Sequence, residues 1–401
     1  MNVLFIIESS ISNPILFSQG IPHIQENSKK GVKYSILSFE DHNYFKHDPG
    51  AKKRFDEANS ELKGFAQIFS VRTETNKLIT SLNLRTVRML FLGILKGLRI
   101  VKKNKVEIIH GRSNLPSLIS LLIKKFSNVK VVYDNRGLVS NEFDNRKRIR
   151  IFAEILIEKY LLKNSDEIIV VSEAFKRYLF TKYPEYDLNK KITVIVNSFS
   201  EKRFTYSEQV RLKQRRDNNL EDKIVMVYSG PSVFWQRFDL VLATFKLLKE
   251  MNKKSFLLVV SYDPEIKKII LNSGIDESDF AVHNVIASEV NSYLIMGDFG
   301  VIFRDDRIRS KVCAPIKLGE YLASGLPVLC MNQIGDTDEI VSEYKVGVIM
   351  EDEKEIQNKL KEIVELANEP DIKLRCRKAA EEKLSSNLSS QKYYDVYKHI
   401  K

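Results

Sequence analysis

Lys317 and Glu320, of opposite charge, lie three residues apart within residues 303–330, FRDDRIRSKVCAPIKLGEYLASGLPVLC. On a helix that spacing puts both on one face. Arg304, Arg309 and Lys311 precede them, and Pro315 suits a first helical position, where its missing N–H would be an orphan anyway. Cations beside a helix N-terminus make an anion cradle, because unpaired N–H groups and the helix dipole add to the side-chain charge. A carboxylate one turn further along is placed to accept from ribose hydroxyls. The chemistry that fits is the holding of a nucleotide by its phosphates and its sugar. A plainer reading is a surface i,i+3 ion pair beside a solvated turn, and spacing alone leaves both open.

Such a site needs a buried strand ending at Arg304, a helix stopped by Gly325, and a second strand opened by Pro327. The rest of the chain repeats that rhythm. Short β-rich segments at 3–7, 34–38, 67–71, 106–109, 129–133, 167–171 and 192–196 read as strands. Helical patterns at 84–103, 115–126, 149–162 and 174–183 separate the later ones. A polar, charged stretch at 201–223 interrupts the pattern. It then resumes, with strands at 224–228, 256–260, 282–285, 300–303, 328–330 and 346–350 and helices at 238–250, 264–271, 287–296 and about 338–344. Beyond 351 the chain reads as helical nearly to its end. This alternation predicts an α/β fold with parallel sheets wound by right-handed crossovers. The expected domains are 1–205 and 223–388, joined by a linker at 206–222. In open sheets of this kind ligands bind beyond the carboxyl ends of the strands.

Composition bounds the partners. A chain of 401 residues, 43% hydrophobic and 29% charged, has the balance of a soluble globular protein with room for two cores. Its net charge of +12 points to anionic partners. Cys313, Cys330 and Cys376 show neither metal spacing nor a disulfide framework, so a reducing cytoplasm is expected and no metal. Residues 1–7 lack a basic leader and a cleavage site, and read as a first strand. The apolar run at 89–95 is far short of the ~20 residues of a membrane span. Abundant Lys, Ile and Asn suggest a bacterial source. The helix at 84–103 carries Arg85, Arg88, Lys96, Arg99, Lys102 and Lys103 with no acidic residue, and Leu90, Ile94, Leu98 and Val101 at helical spacing. It fits an anionic membrane surface, or equally a helix packed on a sheet with a solvated basic back.

PIKLGEYLASGLPVL resembles the P-x-K-x-x-E-Y-L-A-x-G-x-P-V signature of family 4 glycosyltransferases. These are retaining enzymes of GT-B fold, with two Rossmann-like domains facing across a cleft and a last helix, here 389–401, returning to the first domain. The resemblance implies that Lys317 meets the donor phosphates and Glu320 holds the ribose. The family's preceding Glu would fall at Val312. Ser229-Gly230-Pro231-Ser232 resembles the glycine loop beneath the donor diphosphate, with Pro231 where an Arg is usual. Gln236-Arg237 aligns with the family's Lys-Gly pair, which makes Arg237 a shifted candidate phosphate ligand; the alternative is a solvated residue at a helix start. Arg304 is a second candidate for the missing charge. Asp305 and Asp306 read as solvated loop carboxylates. Gly335-Asp336 follows the next strand, with Gly335 placed to reach the nucleotide through its backbone and Asp336 more simply a helix cap.

In the first domain VEIIHGRSNLP and VVYDNRGLVSNE resemble strands that end in the family's sugar-side histidines. Arg112 and Arg136 stand in their places. Asp134, Arg136, Gly137 and Glu142, with Arg112, are the acceptor-side candidates; an interlocked salt-bridge cluster is the alternative. His110 reads as structural rather than as a base. VIVNSFSEKRF resembles an interdomain segment of the family, with Asn197, Arg203 and Phe204 matched. The implied catalysis is electrostatic stabilisation of a leaving diphosphate by Lys317, Arg304, Arg237 and Arg136, without cofactor or metal. The implied partners are a nucleotide diphosphate sugar and a surface-polysaccharide or lipid-linked glycan acceptor. A nucleotide-sugar epimerase on a similar fold would need more acid/base groups than six scattered histidines offer. A basic nucleic-acid-binding protein would interleave exposed aromatics with its cations, and here the aromatics fall in apolar segments.

Overall fold

The computed structural model describes residues 1–41, 49–73, 84–138, 148–189 and 191–401. Its first sheet has seven strands: β1 (Asn2–Ile6), β2 (Lys33–Asp41), β3 (Ala66–Thr73), β4 (Ile108–Arg112), β5 (Lys130–Asn135), β6 (Glu167–Val170) and β7 (Ile192–Val194). They lie in the order β3-β2-β1-β4-β5-β6-β7, every neighbouring pair parallel. The second sheet has six: β8 (Ile224–Ser229), β9 (Ser255–Val260), β10 (Phe280–His283), β11 (Phe299–Ile302), β12 (Val328–Met331) and β13 (Gly347–Met350). Their order is β10-β9-β8-β11-β12-β13, again all parallel. Parallel sheets are covered on both faces, so their strands read as continuous apolar runs. Val3 to Ile6 are all fully buried, as are Phe299 and Val301.

The crossovers are helices. The first sheet uses α1 (Ile21–Lys29), α2 (Pro49–Leu62), α3 (Leu84–Asn104), α4 (Asn114–Lys124), α5 (Arg148–Asn164) and α6 (Glu173–Lys182). After β7 come α7 (Glu208–Asp217), α8 (Phe238–Met251), α9 (Ile316–Ala323), α10 (Thr337–Tyr344), α11 (Ile356–Ala367), α12 (Ile372–Leu384) and α13 (Ser386–Ile400). Helices α1 and α2 fall in stretches where no helix was expected, and the helix expected at 287–296 is reduced to residues Val290–Leu294.

The chain folds as two compact units, residues 1–196 with 389–401, and residues 197–388. Leu4, Ile6, Leu37, Ile109, Ile119 and Ile123 centre one core; Met226, Phe245, Leu257, Phe299, Leu329 and Leu360 centre the other. The boundary falls before residue 197 instead of after 205, for a backbone reason. Phe199 N–H donates to Leu384 O at 2.9 Å and its carbonyl accepts from Ser386 N–H at 3.0 Å, tying 197–205 to the second unit. The stretch 206–222 is also not a linker. Ser207 caps α7, and buried Arg215 on that helix donates to Asp298 at 3.1 Å and to Met296 O at 2.7 Å. Arg211 joins the same carboxylate at 2.6 Å. The charge that read as solvated is an anchor.

Candidate active site

In the second sheet the strand order reverses between β8 and β11, because the chain winds outward from β8 in both directions. Loops that leave such a pair part company, and the crevice they open is where ligands bind. Those loops begin at Ser229-Gly230 and at Arg304. Helix α9 starts one residue later than expected, with Pro315 at the N-cap position and no side chain capping it. Its first N–H groups therefore remain available to an anion.

Two side chains one turn apart on α9 brace the β8 loop. The Tyr321 hydroxyl accepts from the Ser229 N–H at 2.7 Å. Lys317 runs beneath Gly230, its ammonium 4.1 Å from the centre of the Tyr228 ring and hydrogen-bonded to Gln236 Oε1. Gln236 Oε1 also accepts from the Tyr228 hydroxyl at 3.0 Å. Gly230 has φ +127°, and a Cβ there would lie 3.1 Å from the Lys317 ammonium, so a side chain would be strained and would crowd the lysine. Ser232 secures the loop from the far side through Asp263, with an N–H bond of 2.9 Å.

The electrostatics follow from burial. Burial, then the neighbouring Arg304 charge, pulls the Lys317 ammonium well below its ordinary range, against the pull of Glu320. Burial pushes the Glu320 carboxyl up to about 7, opposed by Lys317 and Arg203. Among the described residues neither the Glu320 carboxyl nor the half-buried Arg304 guanidinium shows a hydrogen-bond partner. A buried lysine whose pKa is lowered, the Arg304 guanidinium, open helix N–H groups and a carboxyl poised near pH 7 are a set that an anion with attached hydroxyls would satisfy.

Other sequence candidates go elsewhere. Arg237, with φ +45° at the start of α8, is committed to Asp239 through Nε at 3.1 Å and to Glu353 through Nη1 at 2.7 Å. These pairs raise its pKa further and hold its guanidinium at the start of α8. Arg309 turns away from the cradle to Asp305 at 2.6 Å and stacks on Phe234 and Trp235 at 4.7 and 4.9 Å. Asp305 is accordingly not a solvated loop carboxylate. Val312 is buried and supplies packing where the family has a carboxylate. Gly335, with φ +55°, is required by its own loop: a Cβ would fall 1.7 Å from the Cys313 carbonyl oxygen. Asp336 occupies the N-cap position of α10 without a side-chain cap bond.

In the first unit the structure brings Arg112, Asp134 and Arg136 together at the ends of β4 and β5. Buried Asp134 lies 3.5 Å from Arg112, 3.3 Å from Arg136 and 3.2 Å from His110 Nε2. Burial opposes its charge, but Arg136, His110 and Arg112 together hold it well below the usual carboxylate range. Burial keeps His110 neutral. An ionised Asp134 can only accept, so Nε2 carries the proton and Nδ1 accepts from the Tyr397 hydroxyl at 2.7 Å. Arg136 also donates to the Tyr393 hydroxyl at 3.2 Å and to Gln19 Oε1 at 3.3 Å, and Arg112 shares that Gln19 oxygen. Burial and Arg136 draw the Arg112 pKa down to about 10, still charged at neutrality. This is the interlocked network, closed by Tyr393 and Tyr397 of α13. Gly137 adjoins it, with open space around its Cα. Glu142 lies outside the described residues.

Sequence reasoning passed over Gln236 and Tyr321 as site members. Tyr321 had a readable signal, four residues after Lys317 on one helix face; Gln236 had only its alignment with a different residue type.

Residues 53–203 match the family model Glycosyltransferase Family 4, and residues 241–391 match Glucosyltransferase 3-like, C-terminal domain. The chain's fold is that of the GT-B glycosyltransferases. Sucrose-phosphate synthase of Thermosynechococcus elongatus superposes with a TM-score of 0.74 at 14% identity, over 100% of this chain and 99% of that one. HepE of Anabaena in complex with UDP gives 0.71 at 12% identity, over 100% of both chains. At such identities the likeness is one of fold. An uncharacterized glycosyltransferase of Methanocaldococcus jannaschii is 22% identical over 161 residues, 38% of this chain and 39% of that relative's length.

Proposed function

We propose that this glycosyltransferase moves a hexose-type sugar from a nucleotide diphosphate sugar to a hydroxyl of a glycan or lipid-linked acceptor, with retention at the anomeric carbon. The observation that carries the reading is the pairing of Lys317 and Arg304 beside the Gly230 loop, with Glu320 on the same face of α9 as Lys317. HepE has been solved with UDP-glucose, and TarM of S. aureus with UDP and a glycan, which favours donors and acceptors of those kinds here.

The donor diphosphate lies over Gly230, with its charge met by Lys317, Arg304 and the first N–H groups of α9, and Glu320 accepts from the ribose hydroxyls. The acceptor oxygen bonds to the anomeric carbon on the face from which the diphosphate departs. The bond from that carbon to the phosphate oxygen breaks, and the acceptor proton passes to a phosphate oxygen. Side chains in fixed positions stabilise the developing charge without reorganising, which is the main source of rate in such a step, and no metal is needed for it. Arg237 and the Arg112–Asp134–Arg136 network take no part in bond making.

The test is thermal stabilisation by UDP, GDP, ADP and the corresponding nucleotide sugars. A ligand that binds only the folded protein raises its stability by mass action. One nucleotide family should raise the melting temperature, and Lys317→Ala and Glu320→Ala should each remove most of that rise with the fold intact. An undiminished shift in both variants would put the nucleotide elsewhere.

A further inference from the structure

Helix α4 packs between α3 and α5 on one side of the first sheet. The inner faces of α3 and α4 close a core with Met89, Ile100, Ile119 and Ile123. Their outer faces are apolar as well. On α3, Val87, Phe91 and Leu95 follow one another at intervals of four and stand out into solvent, Phe91 at 59% exposure. On α5, Phe152 and Leu156 repeat the interval, Phe152 at 62%. Between them α4 presents Leu118 and Leu122, four apart and partly exposed. Residues four apart share one helix face, so each helix carries an outward apolar ridge. Phe126, directly after α4, is 74% exposed. Among the described residues of the first unit, every exposed large apolar side chain belongs to this set. Scattered single exposures need no explanation, but a gathered patch does.

Among the described residues, the exposed charges on the three helices themselves are basic, with Asp166 beside Lys124 and Glu185 beside Lys159 at their margin. Neither α3 nor α4 contains an Asp or Glu, and both glutamates of α5, Glu154 and Glu158, are buried. Arg88, Arg99, Lys102, Lys103, Lys125 and Lys163 are exposed on or just beyond the three helices. No described helix is long and apolar enough to cross a membrane.

We propose that the outer surface of α3, α4 and α5 docks on a bilayer rich in anionic phospholipid, with the aromatic and aliphatic ridges in the headgroup–acyl boundary and the cations on lipid phosphates. An apolar ridge on helices whose exposed charges are predominantly basic is the pattern of helices that lie in such an interface. A second copy of this chain fits less well, because the same border would meet itself and repel.

The test uses the full-length protein, sedimented with vesicles of phosphatidylcholine alone or of equal parts phosphatidylcholine and phosphatidylglycerol. The protein should bind the mixed vesicles, lose binding as salt rises, and stay free of the neutral ones. Phe91→Asp with Phe152→Asp should weaken binding by at least ~10-fold, and Lys102→Glu with Lys103→Glu by roughly 10-fold or more. Both pairs lie on the surface, so melting temperature and response to nucleotide should stay as in the parent. Failure of the parent protein to bind anionic vesicles would overturn the proposal, as would undiminished binding by the Phe91/Phe152 variant. A solution dimer dispersed by Phe91→Asp would overturn it too, in favour of a second copy on that face.

Discussion

Glu320 sits where burial and a neighbouring lysine pull in opposite directions, and burial wins enough to place its pKa at about 7. Two consequences follow at the scale of that residue. Only the ionised carboxyl accepts from two ribose hydroxyls, so nucleotide affinity should fall below pH 7, approaching ~10-fold at pH 6. Glu320→Gln should bind weakly with a flat profile; calorimetric titration at pH 6 and 8 distinguishes the two. Stability runs the other way. A carboxyl whose folded pKa is raised contributes fully below its unfolded value and loses that contribution as pH rises through about 7. Ligand-free Glu320→Gln should therefore be more stable than the parent by about 1–3 kcal/mol at pH 8, with little difference near pH 4.5. Urea unfolding at both pH values reads the sign. Gly335→Ala should destabilise the protein by at least ~1 kcal/mol from the left-handed backbone alone, since the Cβ also meets the Cys313 carbonyl.

Among the elements, α7 shows how charge can hide an anchor. The run KQRRDNNLEDK looks like a solvated connector because its charges are counted without their partners. Asp298 collects Arg211, Arg215 and the Val225 N–H at 2.8 Å, fixing α7 to the edge of β8. Asp298→Ala would leave buried Arg215 without its counter-charge and should cost about 3 kcal/mol or more in denaturant unfolding. Helix α9 is the opposite case. Its apolar face, its Pro315 start and its Gly325 stop are local signals, and the element appears within one residue of where they place it. What local signals do not carry is which of the nearby cations faces the β8 loop. Arg304, Arg309 and Lys317 look alike in a string, yet Arg309 is drawn off by Asp305 and two aromatic rings.

For the whole molecule, the proposed donor-binding residues Ser229, Gly230, Arg304, Lys317 and Glu320 all belong to the unit 197–388. Hydrogen exchange with and without the cognate nucleotide should accordingly show its strongest protection at 228–232 and 315–321, with the α8 start around Arg237 unchanged. Strong protection at Arg237 instead would restore that residue to the site. The sequence by itself determined the two parallel α/β sheets, because continuous apolar strands between amphipathic helices have few other ways to bury themselves. It also determined Lys317 and Glu320 as a pair on one face, because the helical period is local. Only the tertiary structure decided that Tyr321 and Gln236 complete the Gly230 loop, that Arg237 is taken by Asp239 and Glu353, and that Arg136 and His110, both on Asp134, meet tyrosines more than 250 positions further on. Partners distant in sequence are chosen by which strand ends the sheet order brings together, and no spacing along the chain records that order.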